Sequence, residues 1–94
     1  MSAAAMSPEA LALDGELTIY RASELKPVML DAVRRAAEPA FDLSDVSEID
    51  TAGVQLLLLA RREAASLDRR LQLRAPSAAV RDAFELLALP LDAA

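Results

Sequence analysis

The sequence predicts a small α/β domain whose sheet is mixed but mainly parallel, with an N-terminal β-hairpin and helices chiefly on one face. Three observations predict it. The 94 residues are enough for one domain and too few for two. Hydrophobic residues at 54% against 27% charged describe a globular chain, and aromatics at 3% leave Leu, Val, Ile and Ala to build its core. Stretches with a period of two then alternate with stretches repeating every three or four residues, in the order β-β-α-β-α-β-α.

Residues 1–9 read as a flexible N-terminus and 10–91 as the domain. Leu11 and Leu13, then Leu17 and Ile19, alternate with Ala12, Asp14, Thr18 and Tyr20. Asp14-Gly15 between the runs tolerates the positive φ of a tight turn, so the segment reads as a hairpin. Leu25, Val28 or Met29, Ala32, Val33 and Ala36 give an amphipathic helix, with Pro27 in its first turn, where a missing N–H costs little, and Pro39 closing the segment. Phe41, Leu43 and Val46 suggest a short buried strand, followed by a polar link. The strongest helix in the chain runs from Thr51 to Ser66. Leu71, Leu73 and Ala75 alternate with Gln72 and Arg74 as another short strand. Ser77 is placed to cap a last helix carrying Val80, Phe84 and Leu87.

Composition excludes several kinds of chemistry. Without Cys there is no disulfide framework and no thiolate metal site; without His there is no Ser-His-Asp triad and no imidazole ligand. Two glycines cannot build a phosphate-binding loop or a dinucleotide fingerprint. A net charge of -5 repels nucleic acid on average. The longest apolar run, Val54 to Ala60, is broken by Gln55 and falls far short of the roughly 18 residues of a membrane span. No targeting segment is visible, so the expectation is a cytoplasmic protein without membrane insertion, cofactor or bound metal.

The informative segment is FDLSDVSEIDTAGVQLLLLA, from Phe41 to Ala60. Asp45, Glu48 and Asp50, with Ser47 and Thr51, crowd the connection into the long helix. On residue types alone, Asp-Thr at a helix start reads first as ordinary capping of the free N–H groups of the first turn. Capping does not explain Gly53, which costs about 1 kcal/mol relative to Ala inside a helix. A glycine beside Thr51 would let another protein come close.

Phe41-Asp42-Leu43-Ser44-Asp45-Val46 followed by Ile49-Asp50-Thr51-Ala52-Gly53-Val54 resembles the signature of STAS domains, the sulfate-transporter and anti-sigma-factor-antagonist family. The likeness runs on through Leu71-Gln72-Leu73 and the Pro76-Ser77-Ala78-Ala79-Val80 helix start, and includes Gly15-Glu16-Leu17. It covers nearly the whole chain, from Leu11 to Leu89.

The resemblance implies a STAS-like fold and a regulatory protein-binding module. Its partner would be an anti-sigma factor or a serine/threonine protein kinase of the histidine-kinase-like type. The kinase would phosphorylate the residue after the Asp, here Thr51, and the phosphorylated form would let go. A phosphate adds about -1.5 to -2 charges, enough to repel a closely packed or acidic partner. Asp50, Ala52, Gly53 and Gln55 would surround that residue, and Ser44 and Asp42 would contribute from the strand end. The family's commoner acceptor is Ser rather than Thr, and longer members continue past the third helix. Short members with Asp-Thr at the motif include a subunit of bacterial phospholipid-transport ABC complexes, in which the Thr docks the ATPase subunit without phosphate. Others serve chemotaxis-linked signalling scaffolds.

Placed about 100° apart, Val54, Leu57, Leu58, Ala64 and Ala65 share the face of the long helix expected to meet the core. Leu56 and Leu59 fall on the other side, beside Gln55, Arg62 and Glu63. A neighbouring helix would cover them, or they extend a partner surface down from Thr51. Arg61, Arg62, Arg69 and Arg70 gather at the far end, where cations favour a helix C-terminus; an anionic ligand is the alternative. A phosphoryl-accepting receiver domain is disfavoured because the only lysine, Lys26, lies in the first helix. An enzyme using Asp and Glu alone, or Mg²⁺ on Asp42, Asp45 and Asp50, is disfavoured by the little room for a substrate pocket.

Overall fold

The computed structural model describes residues 10–91, so the N-terminal segment 1–9 lies outside the described residues. Among the described residues, three strands and three helices alternate: β1 (Ala10–Leu17), α1 (Ala22–Arg35), β2 (Ala40–Ile49), α2 (Thr51–Ser66), β3 (Gln72–Arg74) and α3 (Ala78–Leu86). The strands form one parallel sheet in the order β1-β2-β3. The expected α/β class, with strands and helices in alternation, is the one observed.

The N-terminal hairpin is not. Leu11, Leu13, Gly15 and Leu17 fall on one face of a single continuous strand, so the alternation passes through Asp14-Gly15 without a turn. The positive φ of Gly15, 71°, serves an irregularity instead. The pairing of β1 with β2 shifts register between Ala12 and Asp14 and again between Gly15 and Glu16. Arg21 holds β1 beside these shifts by donating from Nη1 to the carbonyls of Asp14 (2.6 Å) and Glu16 (3.0 Å). Ile19 and Tyr20 consequently leave the sheet and form the turn into α1.

Helix α1 begins five residues before Pro27, which therefore sits in the second turn rather than the first. There it forfeits one intrahelical hydrogen bond. Leu25, Met29 and Val33, spaced by four, supply its buried stripe, and Val28 faces outward. Strand β2 runs to Ile49, so the expected polar link shrinks to Asp50 alone, and Asp45, Ser47 and Glu48 are exposed strand residues. Ser77 caps α3 as expected, accepting from the Val80 N–H. Val80 and Phe84 are buried, but Leu87 lies past the helix end and is exposed.

Leu13, Leu17, Phe41, Leu43 and Val46 of the sheet meet Met29, Val33, Val54, Leu57, Val80 and Phe84 of the helices in one core. The other side of the sheet carries Ala12, Asp14, Glu16, Ser44, Asp45 and Glu48, all exposed. Helices on one face and charge on the other follow from this alternation.

Candidate functional site at the amino end of helix α2

Asp50 joins the end of β2 to the start of α2. Its backbone is extended, as at a helix N-cap, and its Oδ1 accepts from the Gly53 N–H at 3.0 Å. Its Oδ2 accepts from the Ile19 N–H at 3.0 Å, and its own N–H donates to the Leu17 carbonyl at 3.3 Å. The N–H of Ile19, followed by that of Gly53, holds the Asp50 carboxyl below its usual 3.8. This carboxylate ties the first turn of α2 to the turn after β1.

With Asp50 as the cap, Thr51 has no capping duty and is exposed on the first turn. Ala52 is half-buried and Gln55 exposed. Gly53 is buried, and its reason is internal. A methyl group there would overlap the Leu17 carbonyl oxygen and come within 2.8 Å of Ile49 Cγ1. The glycine lets α2 start against the ends of β1 and β2, rather than leaving space for another protein.

The structure redraws the rest of the expected surface. Leu56 is only 7% exposed and belongs to the core, because α2 packs against both the sheet and α1 and is covered on more than one side. It is not a partner contact. Leu59 is half-buried. Asp42 and Ser44 form a local unit in which the Ser44 N–H and hydroxyl donate to Asp42 Oδ1 at 3.0 and 2.8 Å. These donors, and then Arg74 on the neighbouring strand, lower the Asp42 carboxyl below its usual range. At about 3.3 Å per strand residue, Ser44 stands roughly 20 Å from Asp50. The pair therefore does not reach Thr51.

Three exposed apolar side chains that the sequence did not mark lie at this end of the molecule. Ile19 is 61% exposed and Tyr20 88%, in the turn that Asp50 holds. Leu86, 85% exposed, borders a shallow hollow of about 510 Å³ shared with Thr18, Glu48 and Asp50. Tyr20 carried a usable signal. It is the only Tyr in a chain whose two Phe residues are both buried. Among the described residues no group of acidic side chains is arranged to hold a metal ion, and no helix is long and apolar enough to cross a membrane.

A family model described as "Mlab, STAS domain" matches residues 2–90. A comparison with curated protein sequences gives no match. Among solved structures, the anti-sigma factor antagonist SpoIIAA in its unphosphorylated form is similar over 85% of this chain and 71% of its own, at 26% identity and a TM-score of 0.70. A putative anti-sigma factor antagonist from Thermotoga maritima shares the fold at 21% identity and a TM-score of 0.71, over 86% of this chain and 73% of its own. The phosphorylated form of the Bacillus cell fate determinant SpoIIAA does so at 24% and 0.66, over 85% and 74%. With the family model spanning nearly its whole length, the chain belongs to the STAS domain family.

Proposed function

We propose that this protein is a non-enzymatic regulatory module of the anti-sigma-factor-antagonist type, binding a protein partner through the amino end of α2 and releasing it when Thr51 is phosphorylated. The partner is an anti-sigma factor or a serine/threonine kinase of the histidine-kinase-like type. The observation that carries this reading is the division of labour between Asp50 and Thr51. Asp50 supplies the cap, so Thr51 is exposed and free of structural duty. A phosphate on Thr51 would place about two negative charges beside the carboxylate of Asp50 and near Glu48. It would act on the interface and leave the fold in place. The structures similar to this chain include SpoIIAA in unphosphorylated and phosphorylated forms, which supports the reading by analogy.

A second reading has its own support. Ile19 and Tyr20 present an exposed apolar pair in the turn that Asp50 holds, which suits lasting attachment. Thr51 would then be an unphosphorylated docking residue, for the ATPase subunit of an ABC transporter or for a signalling scaffold.

Capture from the native cell with wild type, Thr51→Ala and Thr51→Glu, with mass spectrometry of Thr51, separates the two. The switch predicts a kinase-like or anti-sigma protein held by wild type and Thr51→Ala and lost with Thr51→Glu, together with phosphothreonine at position 51. Transporter subunits captured by wild type and weakened by Thr51→Ala would reject the switch in favour of docking.

A further inference from the structure

The hollow beside Asp50 has a chemistry of its own. Three carboxylates line it, those of Glu48, Asp50 and Asp82, and among the described residues no lysine or arginine does. None of the three belongs to the ion pairs of the described residues. The wall between them is apolar, built from Ile49 at the end of β2 and from Ala83 and Leu86 of α3. Thr18 completes the lining and is only 7% exposed. Its hydroxyl donates to Glu16 Oε1 at a long 3.4 Å and accepts from no described residue. We infer that this hollow receives a lysine or arginine side chain of the protein partner, carried between apolar residues.

This rests on reading the amino end of α2 as a partner surface, and Asp50 belongs to both. A neutral or acidic side chain would leave the carboxylates unpaired. A bare inorganic cation would leave the apolar wall unused, and the described carboxylates form no group able to hold a metal ion. A basic side chain uses every part. Its methylene stem packs along Ile49, Ala83 and Leu86. Its charged head pairs with the carboxylates. One of its N–H groups reaches the Thr18 hydroxyl, a buried acceptor short of a donor. A free amine would supply the same head, but the surroundings favour a protein. Tyr20, Leu86 and Ile19 are the three most exposed large apolar side chains among the described residues. Leu86 borders the hollow, and Ile19 and Tyr20 follow Thr18 directly. An apolar patch with a charged rim is the make-up of a protein contact. A phosphate on Thr51 would not repel such a side chain. Release on phosphorylation then comes from the bulk and desolvation of the phosphate where the partner packs on Thr51 itself.

The test is an amide NMR titration of the whole protein with the blocked peptide acetyl-Ala-Leu-Arg-Leu-Ala-amide. One control is the same peptide with citrulline, a neutral isostere, in place of its arginine. The other is butylguanidinium, which keeps the head and stem and lacks the apolar flanks. The proteins are wild type, Glu48→Gln/Asp82→Asn, Leu86→Ser and Thr51→Glu. All four positions are exposed, so the proteins should melt alike. The arginine peptide should give saturable shifts around Thr18, Ile49 and Ala83. It should bind about tenfold or more tightly than either control. The double variant and Leu86→Ser should each weaken it about fivefold or more. Thr51→Glu should leave it bound, so the capture experiment at Thr51 is read apart from this one. A partner captured through Thr51 with no peptide bound in the hollow overturns this proposal and leaves that reading standing. Equal affinity for the arginine and citrulline peptides, or undiminished binding in the double variant, also overturns it. Butylguanidinium binding as tightly as the peptide overturns it in favour of a site for a free small cation. Should the double variant fail to fold, the comparison of the two peptides on wild type decides alone.

Discussion

The carboxylate of Asp50 accepts a hydrogen bond from the backbone N–H of Ile19 at 3.0 Å, across 31 residues of chain. Its other oxygen caps α2 through the Gly53 N–H. One side chain therefore sets both the start of the helix that presents Thr51 and the turn that presents Ile19 and Tyr20. Replacing it with Ala should lower the melting temperature and speed amide exchange at Ile19 and Gly53 together. Faster exchange at Gly53 alone would show that the bond to Ile19 holds little in solution.

Gly53→Ala tests whether helix propensity or packing decides that position. Propensity favours Ala by about 1 kcal/mol. The overlap with the Leu17 carbonyl oxygen opposes it. Overpacking costs about 1–3 kcal/mol, and more where backbone must move. The expected outcome is net destabilisation, read as a lower urea midpoint at unchanged slope.

Acid should weaken the fold in a defined range. The carboxyls of Asp42 and Asp50 titrate below their ordinary 3.8 in the folded chain, through the hydrogen bonds they accept. A group with a lowered folded pKa contributes stability that is present above the unfolded value and lost as pH falls through the folded one. The urea midpoint should therefore fall as pH drops below about 4. The drop should be shallower in Asp42→Asn and in Asp50→Asn, which no longer titrate there.

Thr51 should prove dispensable for stability. Thr51→Ala and Thr51→Glu are expected to change unfolding free energy by no more than about 0.5 kcal/mol, the range of surface substitutions without a structural role. A large loss would mean that Thr51 shares the capping with Asp50.

Ile19→Ser and Tyr20→Ser should likewise leave stability within about 0.5 kcal/mol. Buried apolar anchors carry much of the energy of an interface, and an aromatic one often costs 2 kcal/mol or more when truncated. Affinity for the captured partner is therefore expected to fall about tenfold or more in Tyr20→Ser, as measured by calorimetry. Unchanged affinity would place the interface elsewhere on the surface.

The α/β class, the long helix from Thr51 to Ser66 and the Ser77 cap are all legible in the residues alone. The position of Asp50-Thr51 at a helix start is legible there too. These rest on local rules, namely side-chain period, capping chemistry and the length of apolar runs, and each operates within a few residues. Relations between residues distant in sequence came from packing. Asp14-Gly15 looks locally like a turn, but pairing with β2 carries β1 through it as one strand, with the glycine between two register shifts whose extra residues lie on β2. Leu56 looks exposed on an isolated helix and is buried because α2 has neighbours on more than one side. Gly53 looks like room for a partner and is filled by the Leu17 carbonyl. Ser44 and Asp42 read as neighbours of Thr51 until β2 proves ten residues long. A periodic pattern states which side chains share a face; which body covers that face, and how closely its backbone approaches, depends on contacts the pattern does not contain.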